Sequence, residues 1–166
     1  DNFEEVSNMK GNCGLKIFMG SSTGDLLVDN DKALDEIFRV CNKIVAVHAE
    51  DEDILKKSAA EVKGTKPTDH PAMRPVEAAV AATQKAIDCA IKYKKRLHIL
   101  HLSTAEEVDI IRKYKDTNLI TAETTPQHLL LHAPEIYEEI GAFAQMNPPI
   151  REKYHKKGLW EGLLDG

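Results

Sequence analysis

Four short apolar runs alternate with longer stretches of helical periodicity, and this alternation restricts the fold more than any other feature. The runs are Gly14–Met19, Lys43–His48, Leu97–Leu102 and Asn118–Glu123. Each is near-continuous in apolar character, the pattern of a buried strand rather than a half-exposed one. Between the first two, Leu34, Ile37, Phe38 and Cys41 fall on one face of a helix predicted over Asp31–Asn42. Asp51, Glu52 and Asp53 favour the start of a helix over Asp51–Lys63. Pro75 suits the first turn of a long helix whose face runs from Val76 to Ile91. Ser103 and Glu106 have capping-box spacing ahead of a helix over Ala105–Tyr114, and Lys156–Leu164 reads as a last helix. Residues 20–24 and Lys66–His70 read as loops, and Ala142–Met146 as a short strand or loop edge.

Strands alternating with helices predict a parallel sheet covered by helices, in either an open doubly wound form or as part of a (β/α)8 barrel. No glycine-rich phosphate loop follows any strand, which weakens the dinucleotide-binding form of the open sheet. A complete barrel takes about 250 residues, and the chain has 166. The first methionine is Met9 and the chain closes on Gly166, so the expectation is a piece of a larger protein. With 42% hydrophobic and 30% charged residues the composition is that of a folded globular chain. A net charge of -5 without a basic block argues against nucleic acid as a partner. No apolar run reaches the ~20 residues of a membrane-spanning helix, and no signal peptide is read. Three scattered cysteines without a Cys-x-x-Cys pair fit a reducing cytoplasm.

Chemically capable residues gather where the strands end. His48 closes the second run and His101 lies near the end of the third, at the edge where parallel α/β folds bind ligands. His98 and His101 are separated by an odd number of residues, so strand geometry places them on opposite faces. His101 is the expected site residue, and His98 is expected beneath a helix. Lys16 is costly inside a buried strand unless it is paired or chemically altered. A desolvated lysine is partly neutral and can take up CO2 as a carbamate, an anion able to bridge two metal ions held by histidines. Each residue taken singly also fits a structural role, the histidines as hydrogen-bonded groups and the lysine as a snorkelling side chain.

Five segments, in order, make the chain resemble the dihydroorotases of the amidohydrolase superfamily. They are Gly14-Leu15-Lys16-Ile17-Phe18-Met19-Gly20-Ser21-Ser22-Thr23-Gly24, Val47-His48-Ala49-Glu50, His98-Ile99-Leu100-His101-Leu102-Ser103-Thr104, Thr121-Ala122-Glu123-Thr124-Thr125-Pro126-Gln127-His128-Leu129 and Met146-Asn147-Pro148-Pro149-Ile150-Arg151. The resemblance implies that residues 1–166 are the central part of a (β/α)8 barrel, roughly strands four to seven with their helices. It implies one or two zinc ions, Lys16 as a carbamylated bridging ligand with its carbamate from CO2, and His48 and His101 as further metal ligands. Asn147 would contact the dihydroorotate ring, and residues 20–24 would form a loop beside the metals. Arg74 and Glu77 match an Arg-Pro-x-Glu segment read as structural, and His128 and Arg151 are not expected to be catalytic. No His-x-His pair, expected from strand one, is present, and the catalytic aspartate is expected just after Gly166.

The activity implied is the reversible, zinc-dependent opening of dihydroorotate to N-carbamoyl-aspartate in pyrimidine biosynthesis, with the 166-residue segment alone inactive. A hydantoinase or allantoinase shares the same lysine and histidine pattern and is the alternative within the enzyme class. A non-catalytic dihydroorotase-like subunit, supporting a partner such as aspartate transcarbamoylase, is the alternative outside it. Exposed barrel edges further imply cover by the remainder of the chain, a cleaved fragment or a second copy in a homodimer.

Overall fold

A computed structural model describes residues 3–21, 27–28 and 30–166. Of the loop expected at 20–24, Ser22, Thr23 and Gly24 lie outside the described residues. The elements in order are α1 (Phe3–Asn8), β1 (Gly14–Phe18), α2 (Asp31–Val40), β2 (Ile44–His48), α3 (Glu52–Val62), α4 (His70–Met73), α5 (Val76–Tyr93), β3 (Leu97–Ile99), α6 (Ala105–Arg112), β4 (Ile120–Ala122), α7 (Pro126–Leu130), α8 (Glu135–Ile140) and α9 (Lys153–Asp165). Among the described residues no helix is long and apolar enough to cross a membrane.

The four strands are parallel and lie side by side in sequence order, β1-β2-β3-β4. A doubly wound sheet reverses its strand order to put helices on both faces. Here the order never reverses, so right-handed crossovers bring every connecting helix to the same face. That is the winding of a (β/α)8 barrel, and the burial agrees with it. Register sets Leu15, Val45, Leu97 and Ile120 in one row, and Ile17, Val47, Ile99 and Ala122 in the next. These rows join Leu34, Ile37, Phe38, Ala82, Ala86, Ile87 and Val108 from the helices in one core.

The other face carries Lys16, Ala46, His98 and Thr121 in one row, with Phe18 and His48 in the next. Lys16 and Thr121 are exposed there. Within residues 1–166 the helices thus cover one side of the strands, and the other side is the one that faces the interior of a (β/α)8 barrel. Lys16 is partly exposed on that side and partly desolvated, so it bears a share of the cost of a lysine in a core.

Local sequence explains most element ends. Asn30 Oδ1 accepts a hydrogen bond from the Ala33 amide at 2.7 Å, and Asp51 Oδ1 accepts one from Ile54 at 3.1 Å, each an N-cap on the following helix. At α6 the cap is shifted by one residue from expectation. Thr104 Oγ1 accepts from the Glu107 amide at 3.0 Å, and Glu107 Oε2 accepts from the Thr104 amide at 3.1 Å. Ser103 and Glu106 have the same spacing, but Glu107 is the residue that also takes a hydrogen bond from buried Thr83, at 2.9 Å.

Residues 141–144 form a 3-10 turn where a strand or loop edge was expected, and Pro67–Asp69 forms another where a loop was expected. The short helices α1, α7 and α8 were not anticipated. The regular strand expected over residues 97–102 also ends early, at Ile99, although Leu100 and Leu102 still donate to the Val47 and Glu123 carbonyls.

Candidate metal centre

The chemistry lies at the C-terminal end of the sheet. β2 ends on His48, which is 1% exposed. Strand β3 ends two residues before His101, whose backbone is left-handed at φ 41°. That turn breaks the strict alternation of a strand and brings His101 back toward β2. His48 Nδ1 and His101 Nε2 stand 3.1 Å apart, with the rings edge to face at 4.9 Å between centroids.

Lys16 lies on the same sheet face as His48, one row below it. Its Nζ sits 4.2 Å from the centre of the Phe18 ring, and Phe18 is itself 5.9 Å from the His48 ring. Desolvation lowers the Lys16 pKa to about 8, against a smaller upward pull from the Glu123 carboxylate. Burial lowers the His101 pKa to about 4, helped by the charges of His48 and Lys16. His101 is thus held neutral, with a lone pair available, through the physiological range. His48 and His101 thus meet at one end of one face, and Lys16 lies on that face one row below them.

His98 corrects the strand argument. It does not lie beneath a helix. It shares the open face with Lys16, its Nδ1 is 2.9 Å from Thr121 Oγ1, and its Nε2 is 3.4 Å from Glu123. Both histidines can face this side because alternation governs only residues within the strand, and His101 is outside it.

Asn147 makes no side-chain hydrogen bond among the described residues. Its backbone neighbours are held from both sides. His70 Nε2 is 3.0 Å from the Met146 carbonyl, and His128 Nε2 is 3.1 Å from the Pro148 carbonyl. His128 is fixed in turn by Thr125 Oγ1 at 2.8 Å from Nδ1. Both histidines therefore act on the loop that presents Asn147.

The residue that sequence reasoning passed over is Glu50. Its side chain has no solvent exposure, and its Oε2 lies 2.9 Å from His48 Nε2. Arg74 grips the same carboxylate. Burial alone would raise the Glu50 pKa, but its contacts to His48 and Arg74 outweigh this and hold it low. Gly20 lets β1 close over this point, since a Cβ there would stand 2.5 Å from the Glu50 carbonyl oxygen. The signal for Glu50 was its position two residues after a strand-end histidine.

Among the described residues, no group of three or more histidine, cysteine, aspartate or glutamate side chains is placed to hold a metal. The histidine pair nevertheless fits one. Two nitrogens bonded at about 2.0–2.1 Å to a tetrahedral zinc stand roughly 3.3 Å from one another, close to the 3.1 Å seen here. A third donor from this chain would have to be Lys16, which becomes an anionic oxygen ligand only as its carbamate. Two recesses among the described residues lie elsewhere. One is a small acidic hollow at Asn30, Asp51 and Glu52, and the other a groove of about 550 Å³ between β4, α6 and α9.

No family model matches the chain. It is 37% identical over 162 residues to a dihydroorotase of Methanosarcina acetivorans, covering 91% of this chain and 34% of that protein. It is 30% identical over 180 residues to an allantoinase of Salmonella gallinarum, covering 100% of this chain and 39% of the relative. Among solved structures, the L-hydantoinase (dihydropyrimidinase) from Arthrobacter aurescens superposes with a TM-score of 0.90 at 28% identity, over 99% of this chain and 39% of that one. The chain thus spans between about a third and two fifths of the length of these relatives. The resemblance to dihydroorotases holds over nine tenths of the chain, and the fold is that of a partial (β/α)8 barrel.

Proposed function

We propose that this chain, a relative of the dihydroorotases of the amidohydrolase superfamily, supplies the metal-binding wall of a zinc-dependent cyclic amidohydrolase that interconverts dihydroorotate and N-carbamoyl-aspartate. The carrying observation is the 3.1 Å approach of His48 Nδ1 to His101 Nε2 where two adjacent parallel strands end. Zinc bound there would polarise a ring carbonyl and make water nucleophilic at neutral pH. His48 and His101 would hold it through those two nitrogens. Lys16, on the same face, would join as its carbamate. Asn147, on a loop pinned by His70 and His128, would meet the substrate ring. The proton-transferring aspartate is expected outside residues 1–166, so the isolated segment is expected to be inactive.

A second reading, hydantoinase or allantoinase, is favoured by the match of all 166 residues to 39% of an allantoinase and by the superposition on 39% of an L-hydantoinase. Purified full-length protein, assayed for zinc content and for turnover of dihydroorotate, hydantoin and allantoin, separates the two. Fastest turnover of dihydroorotate is the expected result. Fastest turnover of hydantoin or allantoin would replace it with the second reading. Absence of both zinc and turnover would point to a non-catalytic subunit, for which association with a copy of itself or with aspartate transcarbamoylase is the partner to test by size exclusion.

A further inference from the structure

Three segments far apart in sequence meet behind His48. Glu50 follows β2, Arg74 precedes α5 and Arg151 precedes α9. Arg74 Nε lies 3.1 Å from Glu50 Oε1 and 3.2 Å from Oε2, and its Nη2 also donates to Oε2. Arg74 is itself tied down by its Nη2 bond to the Ser21 carbonyl at 2.8 Å. Its own carbonyl accepts from Arg151 Nη1 at 2.9 Å, and Arg151 Nε donates to Ser103 Oγ at 3.0 Å. Arg151 and Glu50 are both at least nine-tenths buried. None of this is needed to make a sheet or a helix.

Oε2 of the Glu50 carboxylate, the oxygen that Arg74 also holds, faces His48 Nε2 at 2.9 Å. The contact is a close ion-pair approach rather than an aligned hydrogen bond, and Nε2 has no hydrogen-bond partner among the described residues. A carboxylate oxygen and an imidazole nitrogen at this distance repel through their lone pairs unless a proton lies between them. When the His48 ring is neutral, its proton therefore belongs on Nε2. Nδ1 is left with its lone pair directed at His101. A bare carboxylate buried here would be costly, and the bidentate fork of Arg74 offsets that cost while fixing the carboxylate plane.

We propose that Glu50, clamped by Arg74, which Arg151 braces through its backbone carbonyl, is the positioning residue that selects the Nε2–H tautomer of His48 and turns Nδ1 into the site. The inference rests on the reading of His48 and His101 as metal ligands. Ligating histidines usually place their other ring N–H on a carboxylate or carbonyl, and loss of that partner weakens metal binding by about 10- to 100-fold.

Long-range proton–nitrogen imidazole spectra of the metal-free full-length protein read the tautomer directly. Zinc affinity by chelator competition reads its consequence. Wild type should show His48 protonated on Nε2. Glu50→Gln should mix the two tautomers and weaken zinc binding by about 10- to 100-fold, and Arg74→Lys should fall between. A role confined to folding would lower the melting temperature without moving either readout in the folded protein. A wild-type His48 protonated on Nδ1 would overturn the proposal, with no variant needed. So would Glu50→Gln with unchanged tautomer and zinc affinity. Wild-type protein that binds no zinc would instead remove the metal reading, while the tautomer still decides what Glu50 does.

Discussion

His101 reaches His48 through a left-handed residue. β3 has already ended at Ile99, and at φ 41° the His101 backbone turns its ring to within 3.1 Å of His48. Left-handed backbone costs an ordinary L-residue roughly 1–2 kcal/mol, and asparagine tolerates it better than most. His101→Asn should therefore be more stable than His101→Val by about 1–2 kcal/mol, although both remove the imidazole. Equal denaturation midpoints would mean that the turn is relaxed and the approach of the rings incidental.

Lys16 should take up CO2. With a pKa of about 8, roughly a tenth of the amine is neutral at pH 7, roughly 300-fold more than for an ordinary lysine. The neutral nitrogen adds to the carbon of CO2, one C=O electron pair moves to oxygen, and a proton leaves to solvent. Carbon-13 bicarbonate should give a carbamate resonance that grows as pH rises toward and past 8 and is absent in Lys16→Arg. No resonance in the presence of zinc would count against Lys16 as a ligand.

Glu50 and Arg74 should be strongly coupled. Arg74→Met leaves a buried carboxylate without its cation, a change that typically costs about 3–5 kcal/mol. The double variant Glu50→Gln with Arg74→Met should lose clearly less than the sum of the singles. Additive losses in urea denaturation would show that the two side chains do not depend on one another.

Gly158 sets how closely α9 packs on α6. A Cβ at this position would stand 2.4 Å from Ala105 Cβ and 2.9 Å from Ala105 Cα. Alanine normally gains about 1 kcal/mol over glycine within a helix, but overpacking against backbone costs about 1–3 kcal/mol. Gly158→Ala should therefore destabilise. Gly162→Ala, whose new Cβ would meet the Val108 side chain first, should be milder. A higher melting temperature for Gly158→Ala would mean that the helices are free to separate.

Tyr137 should give the fold an alkaline limb. Its hydroxyl donates to the Ile150 carbonyl at 3.1 Å, and burial raises its pKa to about 12. The folded state holds the phenol proton more tightly than the unfolded chain, whose tyrosines titrate near 10. This contribution is complete below about pH 10 and is lost as pH rises toward 12. Tyr137→Phe should lower stability at pH 7 by about 1 kcal/mol and flatten the loss between pH 10 and 12. An unchanged alkaline slope would assign that limb to another group.

By itself the sequence determined the alternation of strands and helices, the parallel sheet, the place of Lys16 within the first strand and that of His48 at the end of the second. Those features follow from local periodicity, because apolar spacing records which residues face a core. It could not tell which sheet face carries the helices, and so misjudged the side taken by His98. It also extended the third strand through His101, since no spacing rule anticipates a left-handed residue there. The partnership of Glu50 with Arg74, 24 residues away, and of Arg74 with Arg151, 77 away, was decided by tertiary structure alone. Buried charges choose partners by proximity in the folded chain, where the cost of leaving them unpaired is high and sequence distance counts for nothing.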